Sequence, residues 1–143
     1  MKAYQSLSHT RWDGKYHIVF IPKKRKKRIF GRLRQHLGEI FPGLARQQEA
    51  KLVEGHLMPD HVPICLSIPP KYAVSRVVGY LKGKSAITIA RRFGGRERNF
   101  TGEVFWARGY FVSTVGLDEA MVRAYIRRQE QEDARYDQMK LGV

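Results

Sequence analysis

The sequence predicts an α+β fold of the ferredoxin-like kind, a βαββαβ sandwich with an extra C-terminal helix that carries a tyrosine. Three observations lead there. The 143 residues contain no internal repeat and no Gly/Ser- or Pro-rich linker, so 1–143 reads as a single domain. Short β-branched and aromatic runs alternate with longer stretches of helical period. Turn chemistry joins the two central runs into a hairpin.

The elements follow in order. Residues 15–21, Lys-Tyr-His-Ile-Val-Phe-Ile, have strand composition and stop at Pro22. A basic loop follows, and from Arg32 to about Arg46 the residues Leu33, Leu37, Ile40, Phe41 and Leu44 recur at helical spacing, with a break or kink expected at Pro42-Gly43. Residues 50–57 and 61–68 are two strands, with Met58-Pro59-Asp60 as the turn and Pro69-Pro70 as the stop. A second helix is expected from about Ala73 to Arg92, then a loop at Gly94-Gly95-Arg96, a strand over 104–115, and a last helix capped by Asp118 and reaching about Tyr136.

Composition narrows the function. The formal charge is +14, with 43% hydrophobic and 28% charged residues, which excludes a disordered chain. Cys65 is the single cysteine, so no internal disulfide forms, and a reducing cytoplasmic setting is expected. No apolar run is long enough to span a bilayer and none resembles a signal peptide, so no membrane partner is expected. Residues 1–98 hold 21 basic and 6 acidic side chains, while 99–143 hold 6 and 7. The densest cluster is Lys23, Lys24, Arg25, Lys26, Lys27 and Arg28, extended by Arg32 and Arg34; a second comprises Lys82, Lys84, Arg91, Arg92, Arg96 and Arg98. Two separated clusters in a small domain point to nucleic acid, bound through counterion release and without implied sequence preference.

Strand alternation turns Val62, Ile64, Leu66 and Ile68 toward the helices and His61, Pro63, Cys65 and Ser67 toward the open face. On the last helix, Tyr125 and Gln129 are one turn apart on one face. A phenol attacks phosphorus only with help from a metal or cations, and a Gln carbonyl is a suitable oxygen donor to such a metal. Read from spacing alone, Tyr125 as a core residue and Gln129 as a surface residue is the favoured description.

The segments His9-Thr10-Arg11-Trp12, 15–23, Met58-Pro59-Asp60-His61-Val62, 67–85, 98–116 and Tyr125-Ile126-Arg127-Arg128-Gln129-Glu130 resemble, in order and over nearly the whole chain, the single-tyrosine HUH transposases of insertion sequences that move as single-stranded DNA. The resemblance implies a ferredoxin-like domain, a homodimer whose tyrosine helix can complete the partner's site, recognition of hairpin DNA at element ends, and a divalent metal, Mg²⁺ or Mn²⁺. It also implies attack by the helix tyrosine on a DNA phosphate, leaving a 5′-phosphotyrosine and a free 3′-hydroxyl. Matched by position, Tyr125 is the nucleophile and His61 and Gln129 are metal ligands.

The sequence departs from that pattern at one place. The family carries His, a bulky hydrophobic residue, then His, whereas this chain reads His61-Val62-Pro63, and proline supplies no ligand. It also lacks a ladder N–H, so a bulge or a shortened strand is expected there. The expectation is a metal-dependent strand transferase impaired by Pro63; the alternative is an inactive hairpin-DNA-binding descendant. A third class, an RRM-type RNA binder, rests on Arg108-Gly109-Tyr110-Phe111-Val112, which mimics an RNP1 strand but falls in the last strand instead of the third.

Overall fold

The computed structural model describes residues 5–7, 10–12, 14–23, 28–93 and 105–141. Lys24, Arg25, Lys26 and Lys27 of the first basic cluster, Arg96 and Arg98 of the second, and position 104 of the expected last strand lie outside them.

The chain runs β1 (Gln5–Leu7), β2 (Thr10–Trp12), β3 (Lys15–Phe20), α1 (Gly31–Gln47), β4 (Lys51–Gly55), β5 (Val62–Ser67), α2 (Val74–Phe93), β6 (Phe111–Ser113) and α3 (Glu119–Leu141). β1 and β2 form a separate antiparallel pair, and the main antiparallel sheet has the order β4-β5-β3-β6. From β3 to β6 this is the ferredoxin-like βαββαβ arrangement, with α3 as the added helix.

Period-two alternation sorts the two faces. Ile18, Phe20, Val62, Ile64, Leu66 and Ile68 join Leu37 and Phe41 of α1 and Val77, Val78 and Leu81 of α2 in the main core. Trp106 closes it, stacked edge-on against Phe20 at 4.8 Å and Phe105 at 4.6 Å, with its indole Nε1 donating to Ser85 Oγ at 3.0 Å. Gly14 is required at the entry to β3: an added Cβ would stand 2.7 Å from the Ile68 carbonyl oxygen, a backbone atom just past β5 that is held in place by the Ile68 N–H donating to the Gly14 carbonyl at 2.8 Å.

Three expectations are corrected and one element is new. α1 runs unbroken through Pro42. An interior proline costs about 3 kcal/mol, but Leu37 and Phe41 are 0% and 3% exposed, and burying each contributes roughly 1.5–3 kcal/mol. The strand over 104–115 is split: Phe105 and Ala107 exchange backbone bonds with Lys23 and Ile21, at 2.7 and 2.8 Å, Gly109 then turns the chain at φ 75°, and only 111–113 pair with β3. The β1–β2 pair was not expected at all. Finally, β5 is neither bulged nor shortened at Pro63, which pairs with Val19 of β3. The Pro63 carbonyl accepts from His56 N at 2.9 Å, so the edge on which its N–H is missing faces β4 just beyond that strand's last paired residue, Gly55. Proline withholds a single bond, the reciprocal donation to the His56 carbonyl, and that loss falls at the end of β4 where pairing stops. The irregularity sits instead in β4, between Leu52 and Glu54, and brings Glu54 opposite Cys65.

Candidate functional site

α3 begins where the Asp118 carboxylate accepts the backbone N–H of Met121 at 2.7 Å, the cap anticipated from sequence. The helix lies over the sheet end opened by the split strand. Ile126 packs with Ile21 and Ala107 in a small second core, joined by Val122 and Tyr125. The Tyr125 ring lies 5.9 Å from Phe111, and its hydroxyl oxygen is buried. Gln129 is also buried, at 6% exposure, because its Nε2 donates to the Arg108 carbonyl at 2.6 Å. That bond fixes the amide and leaves its carbonyl oxygen as an acceptor.

Two clefts flank this helix. One, about 730 Å³, holds Tyr125 and Gln129 together with Arg128, Arg135, Tyr110 and Phe111. The other, about 520 Å³, holds His61, Asp60, Arg123 and Arg127. In the second cleft Asp60 Oδ1 lies 2.8 Å from His61 Nδ1, an arrangement that holds the imidazole with its Nε2 side available. Arg123 donates to Glu119 on the same helix. His61 precedes β5 and bridges back to Met58 across the turn. Tyr125 and Gln129 are therefore brought together, and His61 is held apart from them on the other flank of α3.

Pro63 opens onto neither cleft. It borders a depression of about 340 Å³ on the open sheet face, with His17, Glu54, His56 and Cys65. His56 Nε2 is 3.2 Å from Glu54 Oε1, and burial pushes the Cys65 thiol up from its ordinary range. Among the described residues no group of three His, Cys, Asp or Glu side chains is arranged to hold a metal ion. With Pro63 donating nothing and His61 apart from Gln129, the residues as arranged do not fit a three-ligand divalent site.

The basic residues named from sequence separate into those that face solvent and those tied into the fold. Lys82 Nζ donates to the carbonyls of Ala107 at 2.8 Å and Gly109 at 2.7 Å, bracing the segment that receives Gln129. Arg92 donates to Nδ1 of the buried His36 at 3.0 Å; with that nitrogen accepting, the His36 Nε2–H donates to Thr88 Oγ1 at 3.0 Å. Burial first, then the Arg92 charge, lower the His36 pKa from its ordinary value. Arg28 lies over the Phe105 ring at 5.0 Å and Lys84 over Tyr80 at 5.6 Å. Lys23 is half-buried, Arg91 and Arg32 are exposed, and Arg34, also exposed, donates its Nε–H to the Leu57 carbonyl at 3.0 Å.

Sequence reasoning passed over Arg128 and Arg135, because 99–143 has no net positive charge to draw attention. The signal was present as periodicity: 125, 128, 129, 132 and 135 share one helical stripe.

No helix among the described residues is long and apolar enough to cross a membrane. Residues 10–129 match the family described as "Transposase IS200 like". The chain is 40% identical over 137 residues to the transposase for insertion sequence element IS200 of Salmonella typhimurium, covering 96% of this chain and 90% of that relative. It is 28% identical over 119 residues to the ISDra2 transposase TnpA of Deinococcus radiodurans, covering 82% and 85%. A crystal structure of a candidate transposase from Deinococcus radiodurans R1 superposes with a TM-score of 0.76 at 27% identity, covering 90% of this chain and 98% of that one. The REP-associated tyrosine transposase solved with a REP hairpin shares the fold alone, with a TM-score of 0.54 at 12% identity over 88% of this chain and 68% of that one. A match that begins at β2 and runs through the sheet and both packing helices to Gln129 shows that this chain belongs to the IS200-like transposase family.

Proposed function

We propose that this chain binds hairpin-forming single-stranded DNA at the ends of a mobile element and cleaves and rejoins it through Tyr125. The observation that carries the reading is the pairing of Tyr125 with Gln129 in one arginine-bearing cleft on α3. In the step, Tyr125 Oη bonds to the phosphorus and the bond from phosphorus to the 3′-oxygen breaks. The phenol proton leaves Oη, and the departing oxygen gains a proton to become a free 3′-hydroxyl, while the 5′ side remains as phosphotyrosine. Attack by a 3′-hydroxyl reverses these changes and rejoins DNA. The buried Tyr125 hydroxyl has to become accessible before a phosphate can meet it. The relative fold solved with a hairpin supports the substrate class, and the basic cluster from Lys23 to Arg28, with Lys84 and Arg91, supports salt-dependent DNA binding.

Homodimer formation and use of Mg²⁺ or Mn²⁺ belong to the same proposal. A divalent ion would lower the charge on the phosphate, with His61 and Gln129 as the donors this chain offers. No step is assigned to it, because those donors stand on opposite flanks of α3. A second reading, hairpin binding without cleavage, is favoured by Pro63.

Incubation with single-stranded hairpin ends in Mg²⁺ or Mn²⁺, followed by a denaturing gel, separates the two. A covalent protein–DNA adduct that disappears in Tyr125→Phe, with hairpin affinity retained, supports the first. Retained hairpin binding with no adduct across a wide metal titration leaves the second.

A further inference from the structure

We propose that the cleft beside Tyr125 is a phosphate-tracking subsite in which Arg128 and Arg135 hold two phosphates of an unpaired DNA strand, and that it does so without a metal. The inference deepens the reading above by naming the residues that position the strand at the tyrosine.

The geometry of α3 carries it. Arg128 and Arg135 are seven positions apart, which on a helix means nearly the same edge and a rise of roughly 10 Å. A stacked strand rises about 3.4 Å per nucleotide, so that interval covers about three nucleotides. Both guanidiniums line the cleft and are exposed, and neither makes an ion pair or hydrogen bond among the described residues. On the other flank Arg123 is engaged by Glu119, which leaves Arg127 as a single exposed guanidinium there in place of a pair. Glu132 also lines the cleft and pairs with neither arginine, although it sits four and three positions from them. Its carboxylate repels an anion from the helix crest and confines it to the arginine edge. On the opposite wall Tyr110 and Phe111 offer ring surface on which a base can stack. Cations and an aromatic wall around an open cleft are the pattern of single-strand binding. Two guanidiniums also offset phosphate charge in a chain whose metal donors are depleted at Pro63.

The probe is fluorescently labelled hexathymidylate, which forms no hairpin, titrated with the full chain in EDTA and followed by anisotropy over a salt series. Arg128→Ala/Arg135→Ala should weaken binding and lower the magnitude of the log–log salt slope by about 1.4, two contacts at about 0.7 each. The same pair changed to Lys should keep the slope, Glu132→Gln should tighten binding, and Arg46→Ala/Lys51→Ala, an equal charge change at exposed positions elsewhere, should leave the slope alone. Binding is read in EDTA with a strand that is not required to be cleaved, so a failure of adduct chemistry is read separately from a failure of the subsite. An unchanged slope in the double-alanine variant, an equal loss in Arg46→Ala/Lys51→Ala, or no hexathymidylate binding at low salt overturns the proposal.

Discussion

Replacing Lys82 by Met separates a structural lysine from a DNA-contacting one. Its ammonium bridges the carbonyls of Ala107 and Gly109, and Met keeps most of the apolar stem while removing the donors. The two bonds are not equivalent. Gly109 is exposed, so water replaces the lost partner, whereas Ala107 is 2% exposed and its carbonyl is left with less access to solvent. A hydrogen bond to a charged group contributes about 1.5–3 kcal/mol, so counting the buried bond near the middle of that range and the exposed one as nearly neutral gives a loss of about 2 kcal/mol. For a domain of this size that is a fall in Tm of about 6 °C. Thermal unfolding followed by circular dichroism reads the loss, and a salt series on DNA binding is its companion. A lysine that contacts phosphate would lower the salt slope by about 0.7 and leave Tm alone. That second outcome would refute the bracing role assigned to Lys82.

Three further outcomes are expected. Ser85→Ala strands the buried Trp106 indole N–H and should cost about 1–3 kcal/mol by urea denaturation. The His36 pKa is lowered in the fold, so between that lowered value and the ordinary 6.5 the unfolded chain binds the extra proton; the stabilisation is full above about 6.5 and is lost as pH falls. His36→Gln should flatten the acid limb of a stability–pH curve. Pro63→His restores an imidazole two residues from His61, and calorimetry on metal-free protein should show Mn²⁺ binding tightened by at least roughly tenfold, the scale on which even outer-shell partners are felt; identical titrations for parent and variant would remove position 63 from any metal site.

The sheet and both packing helices were legible because their patterns are long: β5 alternates over six residues and α1 repeats an apolar stripe over 17. The β1–β2 pair was not, since three-residue strands are too short to show alternation. The long strand expected over 104–115 failed for a local reason. Its apolar composition continues across Arg108-Gly109, but the positive φ of Gly109 redirects the chain, and composition does not report a dihedral angle. At the site, Tyr125 and Gln129 were found together because helical spacing is local. The separation of His61 from them was not legible, because it depends on which side of α3 meets the turn at 58–61. Lys82 and Arg92 were read from charge as DNA contacts. Charge alone does not distinguish a solvent-facing cation from one whose donors are engaged by a carbonyl or a buried imidazole.

The attachment of α3 bears on how the molecule opens. Among the described residues α3 packs through a small cluster centred on Ile21, Ala107 and Ile126, whereas α1 and α2 share the main core. Local opening free energy follows the apolar surface that an element buries, so the fold is graded, with α3 near its low end. Amide hydrogens around Val122 and Ile126 should exchange by a sub-global route while those of Val77 and Leu81 await unfolding of the whole domain. Tyr125 is thereby carried on a segment that leaves the sheet at low cost, and the buried phenol becomes a matter of populations: its exposed fraction is set by a few side chains and can change while the sheet stays folded.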